Sequence, residues 1–281
     1  MIRPRAIPIK SEWVAAHDDE LDPFYRAIWG HHIHHGYWIT GKESAEQAVL
    51  NLTHLVAQQA GMDTGVRVCD FGCGYGASAM IFARTYGAQV VGITVAKSQY
   101  EFAKSQSQGA SDPRFFLCDG LDIRLQANSF DAVVAIESSE HLQDKPKFFP
   151  ETFRLLRPGG RVVVAAWLSR DRPRSWESKY LLEPICAEGR LASMASAQEY
   201  LTMLIRAGFS EARFQDLTAR VQKTWSICAR RSLRAILTQP SLRSRLWDPG
   251  FSHRVFAKTV PRIWLAYKTG SMRYGLFSAL K

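Results

Sequence analysis

The sequence predicts an α/β fold, namely a doubly wound, mainly parallel seven-stranded sheet with helices on both faces and a helical C-terminal insertion. Short apolar patterns typical of strands alternate with amphipathic helical patterns from residue 66 to residue 217. Such alternation indicates parallel strands joined by crossover helices. A glycine-rich bend follows the first strand, and polar residues follow several of the others. In this architecture ligands bind outside the carboxyl ends of the strands.

The individual elements follow from hydrophobic periodicity and from the residues that interrupt it. Apolar residues at helical spacing predict helices over 19–29, 43–60, 77–86, 97–106, 147–156 and 197–207. Short apolar runs bounded by turn residues predict strands over 66–71, 89–93, 114–118, 130–136, 161–167, 212–217 and 274–279. About fifty basic, aromatic-rich residues separate the last two strands, and their pattern is mostly helical.

Length and composition indicate one large globular domain with an elaboration. The chain has 281 residues, of which 46% are hydrophobic and 22% are charged, as is ordinary for globular proteins. We expect an N-terminal arm and cap over residues 1–42, a core over 43–217 and 271–281, and a lid over 218–270. The apolar runs of the chain are too short to span a bilayer, and the first twenty residues of the chain do not resemble a signal peptide. The five irregularly spaced cysteines favour reduced thiols in a cytoplasmic protein.

The positive charge is concentrated in the C-terminal part. The net charge is +10, yet the residues from Arg213 onward contain fourteen Lys and Arg against only Asp216 and Asp248. The rest of the chain is therefore close to neutral. This asymmetry indicates an anionic partner, such as a phosphorylated substrate, a membrane surface or a nucleic acid. A solvated basic surface without a partner is an equally good interpretation.

The glycine-rich bend carries the first indication of a cofactor. Gly72, Gly74 and Gly76 follow the first strand and open a helix, so the backbone can turn sharply and its amides can face a ligand. A dinucleotide site needs an acid about 20 residues further on, where this chain has Thr94. Instead, Asp70 precedes the glycines, and a second acid follows a later strand.

The pattern Asp70-x-Gly72-x-Gly74-x-Gly76 resembles the S-adenosylmethionine (SAM) site of Rossmann-like class I methyltransferases. This resemblance implies that the glycines lie against the methionine part of SAM. It also implies that Asp119, followed by Gly120, binds the adenine amino group. A tight turn that binds nothing is the alternative.

Further motifs narrow the resemblance. Glu137-Ser138-x-Glu140-His141, Pro158-Gly159-Gly160 and Trp167, together with N-terminal matches such as His34-His35-Gly36-Tyr37, are similar to tocopherol C-methyltransferases. These belong to a branch related to sterol methyltransferases and cyclopropane synthases. The similarity covers nearly the whole chain, although residues 234–260 match poorly. It implies that Thr94 and Gln99 replace the usual acid at the ribose. Because relatives methylate ring carbons, prenyl chains and amines, it leaves the substrate open.

Candidate catalytic residues follow the fourth strand and lie in the N-terminal cap. Methyl transfer to carbon requires a base facing the methyl group, and we expect Glu140 in this role, with His141, His34 and His35 as the next candidates. Ionic pairing of Glu140 with an arginine of the lid is the alternative. We expect Glu137 to contact SAM or to brace its loop.

Four histidines lie among residues 31–35, which raises the question of a metal site. Carboxylate or thiolate partners are not evident nearby. We therefore expect no metal and interpret the segment as a cap over the cofactor, in which Tyr37 makes a polar contact. A polar loop packed by aromatic rings is the simpler alternative.

Together these features predict a SAM-dependent small-molecule methyltransferase. The expected acceptor is a prenylated aromatic or an isoprenoid, with or without a diphosphate, methylated at carbon. Alternatives are N- or O-methylation of a natural product, lipid cyclopropanation, and a SAM-binding subunit without catalysis. Methylation of nucleic-acid bases is disfavoured, because its Asn/Asp-Pro-Pro-aromatic run is replaced here by Glu137-Ser138-Ser139-Glu140-His141. Peripheral membrane contact through the basic insertion is a further expectation.

Overall fold

The computed structural model describes residues 1–4, 12–16, 19, 34–122, 124–238 and 254–281. Within these residues, seven strands form one sheet, which confirms the predicted fold class. The strands are β1 (Arg67–Phe71), β2 (Gln89–Thr94), β3 (Arg114–Leu117), β4 (Phe130–Ile136), β5 (Leu156–Ser169), β6 (Ser210–Asp216) and β7 (Met272–Leu280).

The order of the strands places a crevice at the centre of the sheet. The order is β3-β2-β1-β4-β5-β7-β6. The neighbours from β3 to β5 pair in parallel, whereas β7 runs antiparallel to both β5 and β6. Chain connections diverge from β1 and β4, which lie side by side. Their carboxyl ends therefore flank the switch point where doubly wound sheets bind ligands.

Helices cover both faces of the sheet. They are α1 (Ala45–Ala60), α2 (Ala77–Tyr86), α3 (Lys97–Gln106), α4 (Lys145–Leu155), α5 (Glu183–Glu188), α6 (Ala197–Arg206), α7 (Thr218–Val221), α8 (Lys223–Thr238) and α9 (Arg254–Lys268). Shorter helical segments are Gly120–Asp122, Ser139–His141, Ser175–Glu177 and Ser178–Leu182. One apolar core packs α1, α2 and the lid helices α8 and α9 against the sheet, and a second core contains the apolar faces of α4 and α6.

Most predicted boundaries agree with the structure within two residues, and β5 is the main exception. It begins at Leu156 rather than at residue 161, so the Pro158-Gly159-Gly160 motif is part of the strand. Its pairing with β4 contains an irregularity between Phe130 and Ala132, and Gly159 has a positive φ of 76°. Such a bulge accommodates the proline and the glycines within the ladder.

The described parts of the predicted lid are helical, comprising α7, α8 and α9. The domain boundaries themselves stay a prediction, and the predicted helix at 19–29 falls outside the described residues, apart from Asp19. Of the helices that the structure describes, none combines the length and the apolar character needed to cross a bilayer.

Candidate active site

A cavity of about 440 Å³ lies at the carboxyl ends of β1, β2 and β4, which is a size typical of small-molecule sites. The glycine bend, the segment after β4, the N-terminal cap and the lid helices all contribute to its walls. Of the predicted site residues, twelve line it: His34, His35, Asp70, Gly72, Gly74, Thr94, Gln99, Asp119, Gly120, Glu137, Glu140 and His141. Gly76 and Tyr37, both within the described chain, lie outside this lining.

The glycine bend is shaped by close approach as well as by its dihedral angles. Gly72 has a φ of 79°, and a Cβ there would collide with the Cβ of Ser138. Gly76 has a φ of 77°, and a Cβ on it would come within 2.6 Å of the Phe115 ring. Gly76 therefore positions the start of α2 instead of contacting the cavity. Only glycine fits both positions without strain.

Asp70, at the end of β1, is a buried carboxylate without full compensation. Its side chain is 2% exposed, and none of the described residues donates a hydrogen bond to its Oδ2 atom. Burial raises the pKa of this carboxyl to about 7, because a charge in an apolar environment is disfavoured. Since Asp70 lines the cavity, a ligand carrying a positive charge or an N–H donor would compensate it.

The ends of β2 and β3 supply neutral and acidic groups to the same wall. The Thr94 hydroxyl donates to the Gln99 side-chain oxygen at 2.9 Å, so the buried polar pair after β2 is held together. The Asp119 carboxylate accepts the Leu121 N–H at 2.9 Å and so fixes the turn that begins at Gly120. A Cβ on Gly120 would collide with the Phe71 ring, which explains why glycine follows Asp119.

Glu137, directly after β4, lies at the centre of a hydrogen-bond network. It has a positive φ of 51°, an unusual conformation for a residue with a side chain. Its carboxylate accepts from the backbone N–H of His35 at 2.7 Å, the Trp167 indole at 2.6 Å and the Tyr274 hydroxyl at 2.8 Å. Nδ1 of His35 lies 3.0 Å from both carboxylate oxygens.

This network determines the pKa of the Glu137 carboxyl. Burial alone would raise the pKa of its carboxyl, but the interaction with His35, which includes hydrogen bonds from its ring and its backbone N–H, outweighs burial and lowers that pKa to about 2. Donors from the cap, from β5 and from β7 thus occupy its oxygens. In this arrangement Glu137 braces the cap against the sheet, and its contact with SAM stays a prediction.

His35 connects the same network to the lid. Its Nε2 atom accepts the Trp225 indole N–H at 2.7 Å and lies 3.0 Å from the Tyr267 hydroxyl. An indole nitrogen can only donate, so Nε2 carries the lone pair and Nδ1 carries the proton directed at Glu137. We call the set His35, Glu137, Trp167, Trp225, Tyr267 and Tyr274 the cap network.

The other cap histidine has a different environment. Nε2 of His34 lies 3.4 Å from the hydroxyls of Thr53 and Ser78, and burial lowers the pKa of its imidazole. His31 and His32 are outside the described residues. Within the described residues, no three His, Cys, Asp or Glu side chains are arranged to hold a metal ion.

Glu140 lies in the short turn Ser139–His141 and is 1% exposed. Its carboxylate accepts the Trp167 backbone N–H at 2.5 Å and the Ser139 hydroxyl at 3.1 Å. Burial raises the pKa of the Glu140 carboxyl, and the nearby Lys145 ammonium opposes this rise. A carboxylate of raised pKa, oriented by two donors and facing an apolar cavity, has the properties of a general base.

Lys145 is a buried cation that the sequence reasoning missed. It is 0% exposed, and its ammonium donates to the Ser139 backbone oxygen. Burial lowers the pKa of this ammonium. A lysine at the start of an amphipathic helix, after Gln143 and Asp144, is expected to be exposed to solvent. The sequence therefore contains no signal for its burial. Among the described residues, the cation that acts on the Glu140 carboxyl is this lysine of α4.

His141 completes this side of the cavity. Its Nδ1 atom lies 3.1 Å from the Arg190 backbone oxygen, and the partly covered ring has a lowered pKa, chiefly because of burial. It is therefore a neutral imidazole at the cavity wall. Tyr37, by contrast, bonds through its backbone to Ala48 and Asn51 and packs against the core next to α1.

Comparison with known proteins agrees with this geometry. The sequence profile described as mycolic acid cyclopropane synthetase matches residues 8–236. The chain belongs to this family. The predicted branch of class I SAM-dependent methyltransferases is therefore confirmed, and the protein is a SAM-dependent methyltransferase.

Two relatives align over nearly the whole chain. Tocopherol O-methyltransferase, chloroplastic, from Arabidopsis thaliana is 29% identical over 95% of this chain and 81% of its own length. The 2-methyl-6-phytyl-1,4-hydroquinone methyltransferase of Synechocystis sp. (strain ATCC 27184 / PCC 6803 / Kazusa) is 29% identical over 92% of this chain and 84% of its own length.

Two solved structures show the same fold. Mycolic acid cyclopropane synthase CmaA1, complexed with SAH and CTAB, has a TM-score of 0.85 at 20% identity, covering 99% of this chain and 100% of that chain. The [4+2]-cyclase SpnF has a TM-score of 0.82 at 26% identity, covering 100% of this chain and 98% of that chain.

The residues around the glycine bend fit the family's cofactor, SAM. Asp70 presents an uncompensated buried oxygen, the glycines leave the backbone accessible, and Thr94, Gln99 and Asp119 supply polar groups along the same wall. An acidic wall also complements the positive sulfonium. When bound, SAM supplies an electrophilic methyl group.

Proposed function

We propose that this methyltransferase transfers the methyl group to a ring carbon of an uncharged, prenylated phenol or quinol. The observation that carries the proposal is Glu140, a buried carboxylate of raised pKa among the residues that line the cavity. We assign Asp70, Gly72, Gly74, Thr94, Gln99, Asp119 and Gly120 to the cofactor. Gly76 positions the start of α2, and Glu137 braces the cap.

Charge in the cavity wall favours an uncharged acceptor. Carboxylates of six residues line it, whereas Lys147 is the only lysine or arginine among the described lining residues, and it is paired with Asp144 at 3.1 Å. A diphosphate would meet repulsion there and would find no Arg or Lys cluster of the kind that binds phosphate. This argues against the diphosphate-bearing acceptors considered from the sequence.

Apolar side chains also line the cavity, namely Val14, Leu142, Trp167, Ile185, Leu191, Trp225 and Ile263. They suit a hydrocarbon chain attached to a ring. The relative from Synechocystis is named for 2-methyl-6-phytyl-1,4-hydroquinone, which combines these two parts. Its similarity supports the same acceptor class here.

The chemistry requires removal of a proton. Bound at the glycine bend, SAM would supply the methyl group to a ring carbon and would keep the electron pair of its carbon–sulfur bond. The ring carbon then carries both hydrogen and methyl, and loss of the hydrogen as a proton restores aromaticity. We assign acceptance of a proton from the acceptor to Glu140. Its donors from Trp167 and Ser139 fix its orientation, and the apolar wall excludes water.

Glu140→Gln tests this assignment. The amide keeps the size of the side chain but cannot accept the proton, so we expect kcat to fall by about 10²–10⁴-fold, with SAM affinity unchanged by calorimetry. Glu151→Gln, which removes a surface acid paired with Arg154, is the matched control and should retain full activity. Wild-type turnover of Glu140→Gln with a prenylated quinol and labelled SAM would contradict the assignment.

O-methylation is the second candidate, because the relative from Arabidopsis thaliana is named an O-methyltransferase. The position of the new methyl group in the product, determined by NMR, distinguishes the two reactions: a methyl on the ring supports C-methylation and a methoxy group contradicts it.

Cytoplasmic location stays a prediction from the cysteine pattern.

A further inference from the structure

The two long lid helices present an exposed face that is both apolar and basic. Leu233 and Leu237 of α8 are 59% and 68% exposed, and Trp264 and Leu265 of α9 are 43% and 42% exposed. Cationic side chains are interspersed among them. We define the outer lid face as Arg230, Leu233, Arg234 and Leu237 of α8 with Trp264, Leu265 and Lys268 of α9.

Helical spacing and packing make this face continuous. Residues 223, 226, 230, 233/234 and 237 recur at three- and four-residue intervals, which places them on one side of α8. A shallow hollow between the helices is bordered by Lys223 and Ser226 on one side and by Trp264 and Lys268 on the other. The Lys268 ammonium lies 5.9 Å from the centroid of the Trp264 ring.

The charge of the face has one sign. The lid and the last strand contain no Asp or Glu at residues 217–238 or 254–281, the described parts of the C-terminal segment. Acids on neighbouring elements do pair with two lid arginines, Arg231 with Glu46 and Arg262 with Glu188. Neither arginine belongs to the outer lid face as defined, so these pairs do not neutralise it.

The inner sides of the same helices line the active-site cavity. Thr224 and Trp225 of α8 and Thr259 and Ile263 of α9 all contribute to its wall. One helix, about 10 Å thick, therefore separates the acceptor site from whatever the outer face contacts.

We propose that the outer lid face docks on an anionic lipid bilayer. Interspersed Leu, Trp, Lys and Arg on exposed helix faces are typical of helices that lie in the membrane interface, where apolar side chains enter the acyl boundary and cations meet the headgroups. Nucleic acid shares the anionic chemistry, but the two highly exposed leucines of the face, Leu233 and Leu237, have no role against phosphates. Charge complementarity and exposed hydrocarbon together favour the bilayer.

Vesicle co-sedimentation of the full chain tests the proposal without any acceptor, so its result is independent of the proposed reaction. We expect binding to phosphatidylglycerol-containing vesicles, little binding to pure phosphatidylcholine, and weakening from 0.05 to 0.5 M salt. The double variant Trp264→Ala/Lys268→Glu should bind at least about tenfold more weakly, because it removes an exposed aromatic ring and reverses one surface cation.

Ile205→Ala/Arg206→Glu is the matched control, since it also replaces one exposed apolar side chain by alanine and reverses one exposed cation, here on α6. This control should sediment like the wild type, and thermal melting should show that both variants are folded. Equal sedimentation with the two lipids, or equal binding by Trp264→Ala/Lys268→Glu and wild type, would overturn the proposal. So would tight binding to a DNA duplex that anionic vesicles do not displace.

Discussion

Two buried carboxylates at the ends of adjacent strands differ in their hydrogen-bond donors and in the direction in which their pKa values are shifted. Asp70 is the last residue but one of β1, Glu137 directly follows β4, and both line the cavity. Glu137 is surrounded by donors from the cap, β5 and β7, whereas among the described residues Asp70 Oδ2 receives no hydrogen bond. Burial acts on both, yet it raises the pKa of Asp70 to about 7 while donors lower that of Glu137 to about 2.

This difference distinguishes two parts of the cavity wall: a binding wall, which contains Asp70, and a supporting wall, which contains Glu137. A protein compensates a buried charge when that charge is structural, and it leaves compensation to the ligand when the charge belongs to a binding site. The glycine-bend side of the cavity is thus prepared for a ligand. The cap network already has its hydrogen-bond partners within the protein and joins the N-terminal cap to β5, β7, α8 and α9.

The largest expected effect is on the supporting wall. Glu137→Ala leaves His35, Trp167 and Tyr274 without their buried acceptor, so the free energy of unfolding should fall by about 3–5 kcal/mol. Chemical denaturation measures this change. Glu101→Gln, which disrupts an exposed pair with Lys97, should change stability by less than about 0.5 kcal/mol. A similar small change for Glu137→Ala would show that the network is not structural.

The next effect concerns the pH dependence of stability without ligand. The folded-state pKa of Asp70 is raised from its ordinary 3.8 to about 7, so the folded state holds the proton more tightly. The contribution of Asp70 to stability should therefore decrease as pH rises from 4 to 7, by up to about 4 kcal/mol. Asp70→Asn should abolish this decrease, as urea unfolding across that range would show.

Glu137 has the opposite sign in the same experiment. Because its folded-state pKa is lowered from 4.5 to about 2, the stabilising contribution of Glu137 is present above about pH 4.5 and is lost as pH falls through 2.

An Asp70→Asn variant whose pH profile parallels that of the wild type between pH 4 and 7 would contradict the proposed difference between the two carboxylates.

The smallest effect is on cofactor affinity. Asp70→Asn removes a charge-assisted interaction, so SAM should bind about tenfold to a hundredfold more weakly. Titration calorimetry at pH 8 measures this loss. Asp112→Asn is the control, because Asp112 pairs with Arg84 outside the cavity lining. Unchanged SAM affinity in Asp70→Asn would mean that Asp70 does not face the cofactor.

Much of the fold could be predicted because it depends on local patterns. Alternating apolar periods located all seven strands, and the glycines after β1 marked the bend, since both signals act within a few residues. The site residues at strand ends followed from the same topology, because parallel strands bring their carboxyl ends to one edge. Twelve predicted residues accordingly line one cavity.

The sequence by itself therefore determined the sheet, the glycine bend and the edge at which Asp70, Thr94, Asp119, Glu137 and Glu140 gather. Only the tertiary structure decided which of these carboxylates is already satisfied. Hydrogen-bond partners such as Trp225, Tyr267 and Tyr274 come from positions more than a hundred residues away, and burial of Lys145 depends on packing between elements. Charge compensation is a property of three-dimensional surroundings, and no local pattern specifies it.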